Sequence, residues 1–486
     1  MKVKRIKNYI DGKWLYSKSD KELDVENPAF GEVIAKVPLS NKVDLEEAVK
    51  AAKYTYENSW RDMPVLKRVE YLFKLKNLII SNLDEIATIL TKEHGKPLNE
   101  SKLEIQRAVD NINAAAGIPT FMQGRILENI VEGTDEQMIR QPLGVFGIIA
   151  PFNFPAMIPF WYLPYAIASG NTILVKPSEL TPLTQNYIFK LIKKTGLPRG
   201  VVNLINGDKE ISNALVEHKD VAGIASVTST SVAKHIYQKA ASLGKRVQCH
   251  GGAKNFIVVL PDANLDASIL NIIKSAFGNT GQRCLAAANI VAVGESYKNL
   301  REKLIVIASR IKIGYGLEKN IDMGPVISKK AKERILKYIE EGIKEKAKLI
   351  IDGRNVKVDK KYKEGYFLGP CIFDNVDINM SIAREEIFGP VLSIHKAKNL
   401  DEAIKMIHSI DYGNAATIYT KSGKFAREFQ HKVQCGNIGI NIGVPAPYAC
   451  FPFCGMKNSF YGDIHAQCKD MINFFTQQKV IVTKWY

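Results

Sequence analysis

From residue 145 to 249 the chain alternates short apolar runs with longer amphipathic ones. "GVFGIIA", "NTILVKP", "VVNLING", "VAGIASV" and "RVQC" have the length of buried strands and too few residues for helices. Between them, "PLTQNYIFKLIKKTG", "ISNALVEHKD" and "SVAKHIYQKAASLG" repeat apolar residues near a 3.6 period, and the first and third end at glycine, which predicts helices. Such alternation is a series of βαβ units, so the predicted fold class is α/β, with a doubly wound, Rossmann-like nucleotide-binding domain. A second series, "NFIVVL", "ANIVAVG", "YFLGPCIF", "GPVLSIHKA" and "AATIYTK", predicts a second α/β domain. Residues 1–121 read as mostly helical, clearest in "LEEAVKAAKYTYENSW" and "VLKRVEYLFKLKNLIISNLDEIATILTKEHG". The segment "KKAKERILKYIEEGIKEKAKLI" reads as one solvated helix. The tail, "FFTQQKVIVTKWY", is a strand-like run whose exposed edge would invite pairing with another subunit.

Between Gln141 and Val175 no residue is charged, a stretch longer than the roughly 20 apolar residues that span a bilayer. Pro151, Pro155, Pro159 and Pro164 fall inside it, and so many helix breakers predict a buried strand followed by a segment lining a cleft. The composition, 46% apolar and 24% charged over 486 residues, is that of a folded chain with two or three domains. A net charge of +17 would suit a polyanion, but the basic residues are dispersed and not interleaved with aromatics, so no nucleic-acid partner and no membrane partner are expected. Seven cysteines with no framework spacing, and an opening "MKVKRIKNYIDGKW" without an apolar core, predict a reducing, cytoplasmic setting.

No GxGxxG follows the first strand, so a dinucleotide site must be argued from other residues. In "VKPSELTP", Lys176 and Glu179 stand at a strand end, where a cation and a carboxylate can bind ribose hydroxyls; a surface turn is the plain alternative. Glu179 would repel a 2′-phosphate, which favours NAD over NADP. In "GNTGQRCLAA", Cys284 follows small residues and an arginine, a setting in which amide N–H groups and a guanidinium lower a thiol's pKa. Inert core filler is the alternative. Cys450, Cys454, His465 and Cys468 are zinc-ligand types, but C-x3-C-x10-H-x2-C lacks paired knuckles, so no metal is expected.

Taken together, "PFNFP" (151–155), "VKPSE" (175–179), "GQRC" (281–284) and "EEIFGPV" (385–391), in this order over nearly the whole chain, resemble the aldehyde dehydrogenase superfamily. With "GAKNF" and the ending "SFYGD…FFTQQKVIVTKWY", the chain is similar to its methylmalonate-semialdehyde dehydrogenase branch. The resemblance implies the aldehyde dehydrogenase fold: an NAD-binding domain from 1–121 and 143–251, a catalytic domain from 252–452, and a strand-rich oligomerisation element from 122–142 and 466–486 that builds homodimers or homotetramers. It implies NAD as cofactor, coenzyme A as co-substrate and a small semialdehyde as substrate, with methylmalonate or malonate semialdehyde giving propionyl-CoA or acetyl-CoA. Valine and inositol breakdown both use this activity.

By the same resemblance Cys284 is the nucleophile and Asn153 an oxyanion donor. Phe152, Lys176, Glu179, Ser229, Glu386 and Phe388 contact the cofactor. Arg107 and Arg283 grip the substrate's carboxylate. Two departures stand out. His250 occupies the place of the glutamate that hydrolytic members use to activate water; the acylating branch also lacks that glutamate, but histidine is a competent base, so a hydrolytic enzyme giving a free acid is the second reading. Thr228 stands where a glycine usually precedes the pyrophosphate-binding serine. A nucleic-acid- or zinc-binding structural protein is a remote third reading.

Overall fold

The computed structural model describes residues 3–486. Its largest sheet has eight strands, in the order Phe460–Tyr461, Arg246–His250, Val221–Val227, Val145–Ile149, Thr172–Lys176, Val202–Leu204, Asn8–Ile10 and Lys13–Leu15. The central five run parallel and are the five strands predicted from the apolar runs. Val145–Ile149 and Thr172–Lys176 are buried at every position, because helices cover both faces of the sheet. From Val145–Ile149 the chain builds outward first to one side and then, at Val221–Val227, to the other. A crevice opens beyond the C-terminal ends of strands where the order reverses, and this is where α/β sheets hold ligands.

A second sheet of seven strands contains Asn255–Val259 in its interior, flanked by Ala287–Val293 and Ala415–Tyr419, all parallel. A third is antiparallel: the tail strand Thr476–Lys484 pairs along its whole length with Thr134–Pro142, which also pairs with Arg125–Val131. Ile126, Leu127, Val131, Val480, Val482 and Trp485 on these strands and just beyond are exposed.

Two expectations need correction. Residues 4–38 form five short strands, and the helical stretch runs only from Lys42 to Phe121. Asn8–Ile10 is buried inside the large sheet between Val202–Leu204 and Lys13–Leu15, a role decided by those partners and too short to show a local period. The segment read as one solvated helix ends as a helix at Lys344; Lys346 takes a left-handed conformation (φ 69°) and Lys348–Ile351 pairs with Cys371–Asp374. The charge-free segment is a strand, two short helices and a second strand. Among the described residues no helix is long and apolar enough to cross a membrane.

Candidate active site

Cys284 lies on the loop between the helix Leu265–Phe277 and the strand Ala287–Val293. The loop is held in an uncommon shape: Asn279, Thr280 and Gly281 all have positive φ (52°, 56° and 72°). A Cβ at Gly281 would collide with the Gly389 carbonyl, so only glycine fits there. The cysteine's main chain is clamped from two sides. Its carbonyl accepts from Asn255 Nδ2 at 2.8 Å and Asn414 Nδ2 at 2.7 Å, two residues that the sequence did not single out.

Two cavities meet at Cys284. The larger, about 780 Å³, is the crevice of the eight-stranded sheet. Phe152, Asn153, Lys176, Glu179, Thr228, Ser229, Glu386 and Phe388, distant in sequence, all line it. Lys176 Nζ donates to Glu179 Oε2 (3.2 Å) and to the Gly207 carbonyl (2.8 Å), which fixes the cation beside the carboxylate. Ser229 caps the 13-residue helix Thr230–Ser242, yet its hydroxyl makes no capping bond, so this helix end still offers donors to an anion. Thr228 leaves that end open, with its hydroxyl turned to the Ser229 carbonyl (3.4 Å). Glu386 Oε1 accepts the Ala253 N–H (2.8 Å), and burial pushes this carboxyl up to about 7. Phe388 (φ 54°) meets Phe152 edge-on at 5.8 Å. A carboxylate for hydroxyls, a helix end for phosphate and a glycine pair, Gly251–Gly252, are parts that fit a dinucleotide.

The smaller cavity, about 170 Å³, is walled mainly by apolar groups, among them Leu103, Phe154, Met157, Trp161, Val444 and Phe453. Five charged residues line it, and four of them neutralise one another. Lys96 pairs with Glu104 (2.7 Å), both fully buried, and Arg283 pairs with Glu100 (2.8 Å). Arg107 has no ion-pair partner among the described residues. Its guanidinium lies 4.4 Å over the Tyr448 ring and its Nη1 is enclosed with no hydrogen-bond partner.

Lys96 and Glu104 also anchor the "PFNFP" turn, and neither was singled out from sequence. Lys96 Nζ donates to the Asn153 carbonyl (2.7 Å), and Glu104 Oε1 accepts from the N–H groups of Ala156 (2.8 Å) and Met157 (3.1 Å). The only local signal was a lysine between Gly95 and Pro97 at a helix start. Asn153 Nδ2 in turn donates to the Gln282 carbonyl (3.0 Å), so its amide sits against the cysteine loop.

Three expectations are corrected here. Cys284 is partly accessible where the cavities meet, but burial, reinforced by Glu386, pushes its thiol up to about 12. Arg283 does little to lower it, because its guanidinium is bound to Glu100 and Nη1 donates to the Lys274 carbonyl (3.4 Å). For the same reason Arg283 enters the cavity wall with its charge already matched. His250 lines neither cavity. It is 3% exposed, caged by Trp161, Phe453 and Phe460 at ring distances of 5.8, 5.5 and 4.8 Å, and neither ring nitrogen has a partner. Burial pushes it down to about 3, leaving a neutral, weakly basic ring that faces aromatic carbon. Cys450 and Cys468 lie together, the Cys468 thiol donating to the Cys450 carbonyl (2.7 Å), but among the described residues no three histidine, cysteine or acidic side chains converge to hold a metal.

The profile described as the aldehyde dehydrogenase family matches residues 14–481. Malonate-semialdehyde dehydrogenase 2 of Geobacillus kaustophilus is 47% identical over 483 residues, 99% of each chain. Among solved structures, methylmalonate-semialdehyde dehydrogenase from Oceanimonas doudoroffii superposes with a TM-score of 0.97 at 37% identity, covering 100% of this chain and 99% of that one. The NAD+ complex of an aldehyde dehydrogenase from Bacillus cereus gives a TM-score of 0.94 at 32% identity, over 99% and 97% of the two chains.

Proposed function

This chain belongs to the aldehyde dehydrogenase family, and we propose that it oxidises malonate or methylmalonate semialdehyde, with NAD as hydride acceptor and coenzyme A as acyl acceptor. The observation that carries this reading is Arg107. Among the described residues it is the one uncompensated charge on a small apolar cavity that ends at Cys284, and a carboxylate on a short aldehyde supplies the missing partner. The names of the relatives above agree with that chemistry.

The proposed sequence uses the chain's own groups as follows. Cys284 gives up its thiol proton to water and its Sγ attacks the aldehyde carbon to give a thiohemiacetal, whose oxyanion is met by Asn153 Nδ2 and the Cys284 N–H. Bound NAD supplies the acceptor for the hydride that leaves this carbon. Lys176 and Glu179 hold one end of the large cavity's occupant, Ser229 and its helix the middle, and Phe152, Glu386 and Phe388 the end beside the thiol. The product is a thioester on Cys284 that carries the substrate's carboxylate. Loss of carbon dioxide leaves its electron pair delocalised into the thioester carbonyl, where Asn153 stabilises the enolate oxygen, and a proton completes the acyl group. The coenzyme A thiol then displaces Cys284. A thiol with an ordinary pKa of ~8.5 needs less help than water, which agrees with His250 being walled off from the site. Arg283, paired with Glu100, holds the cysteine loop. On this reading the exposed apolar residues of the antiparallel sheet are where subunits pair into dimers or tetramers.

The test is NADH formation from malonate and methylmalonate semialdehyde with and without coenzyme A, with products identified by mass. Steady turnover only with coenzyme A, giving acetyl-CoA or propionyl-CoA, supports the reading. Equal turnover without it, giving a free acid, overturns it.

A further inference from the structure

Arg107 is not the only unsatisfied group on the small cavity. Gln467 lines the same cavity, is 4% exposed, and its Oε1 is enclosed with no partner. Its backbone is unusual as well: φ is 72° and ψ 165°, and Cys468 follows at φ 55°. Side-chain-bearing residues avoid this region, and two in succession persist only when the surroundings impose them.

Those surroundings lead back to Arg107. The Cys468 N–H donates to Tyr165 Oη (3.1 Å), Tyr165 Oη donates to Asn111 Oδ1 (3.3 Å), and Asn111 Nδ2 donates to the Arg107 carbonyl (3.1 Å). A chain of hydrogen bonds therefore fixes the strained turn relative to the helix Leu98–Ala116 that carries the arginine.

We infer that Gln467 is the neutral second arm of the carboxylate site and a determinant of substrate choice, an inference that rests on the small cavity being the seat of a carboxylated aldehyde. A carboxylate has more acceptor sites than one guanidinium edge fills. Gln467 Nε2 and the Arg107 guanidinium donate to the two oxygens of one carboxylate, which gives Arg107 Nη1 the acceptor it lacks. An uncharged aldehyde of similar size leaves the Arg107 charge and the Gln467 amide donor unmet, and a site built around polar groups rejects such a ligand strongly.

The test compares kcat/KM for malonate semialdehyde and for propanal, at saturating NAD and coenzyme A, in the wild type and in Gln467→Met, Gln467→Glu and Arg107→Met. Gln467→Met is expected to lose about tenfold or more on malonate semialdehyde, mainly through KM, with propanal unchanged or improved. Gln467→Glu loses more, because it sets a like charge beside the carboxylate. Gln467→Gly guards against misfolding: glycine accepts this backbone freely, so the variant keeps or gains thermal stability while losing the same preference. Equal effects on the two aldehydes, or none on either, overturn the inference. If Arg107→Met abolishes the preference and the Gln467 variants keep it, the inference alone fails. A wild type that does not prefer malonate semialdehyde removes the underlying reading and the inference with it.

Discussion

The two cavities that meet at Cys284 treat charge differently. In the large one, the side chains nearest the strand ends are already tied to protein: Lys176 to Glu179 and Gly207, Glu386 to the Ala253 N–H. In the small one, two ion pairs cancel and Arg107 is left over, beside a glutamine whose carbonyl oxygen also lacks a partner. A cavity of the first kind is organised before anything enters. A cavity of the second kind carries a partly buried cation with no ionic partner, a setting suited to an anionic occupant.

Replacing the shared residue removes the chemistry that joins the two halves. Cys284→Ala is expected to lower turnover by at least about 10⁴-fold while NAD still binds, as tryptophan fluorescence titration would show. Loss of NAD binding as well would mean that Cys284 shapes the large cavity and is not merely its chemical end. Lys96→Met tests how far the small cavity depends on its internal pairing. It strands Glu104 as a buried lone charge and is expected to cost about 3–5 kcal/mol of stability by denaturant unfolding. Arg107→Met should cut kcat/KM for malonate semialdehyde by about 10²-fold or more, leaving propanal within about threefold; Arg283→Met, by loosening the loop, should lower both aldehydes together.

On the large side the sharper probe is pH. Only the Glu386 carboxylate can accept two hydroxyl donors, and burial places its titration near 7, so the proton is bound below that pH and NAD affinity should fall. Between pH 8 and pH 6 the Kd should rise by up to about tenfold, and Glu386→Gln should flatten the profile. Lys254, pushed down to about 7, and Arg334 face the same carboxyl and remain cationic on the acid side, which moderates the change. The smallest effect is expected at His250. His250→Phe keeps the aromatic cage filled and should alter turnover by less than about threefold; a large loss confined to free-acid formation would restore the hydrolytic reading.

The large cavity was the more legible in sequence, for a physical reason. Phe152, Asn153, Lys176, Glu179, Thr228 and Ser229 sit in short βα turns, so a local motif fixes each one at a strand end. The small cavity is assembled from the helix Leu98–Ala116, the cysteine loop, residues 444–453 and the turn at Gln467, whose meeting is decided by tertiary packing. Lys96, Glu104, Asn414 and Gln467 carried no pattern that a single sequence could separate from ordinary core or helix residues. His250 and Arg283 show the converse. Their positions suggested chemistry, but the aromatic cage around one and Glu100 beside the other come from distant parts of the chain.

The most direct measurement is the wild-type enzyme's kcat/KM for malonate semialdehyde against propanal at one NAD concentration. The unbalanced Arg107 predicts a preference for the carboxylated aldehyde of about 10²-fold or more. Equal values for the two would contradict a small cavity that recognises charge.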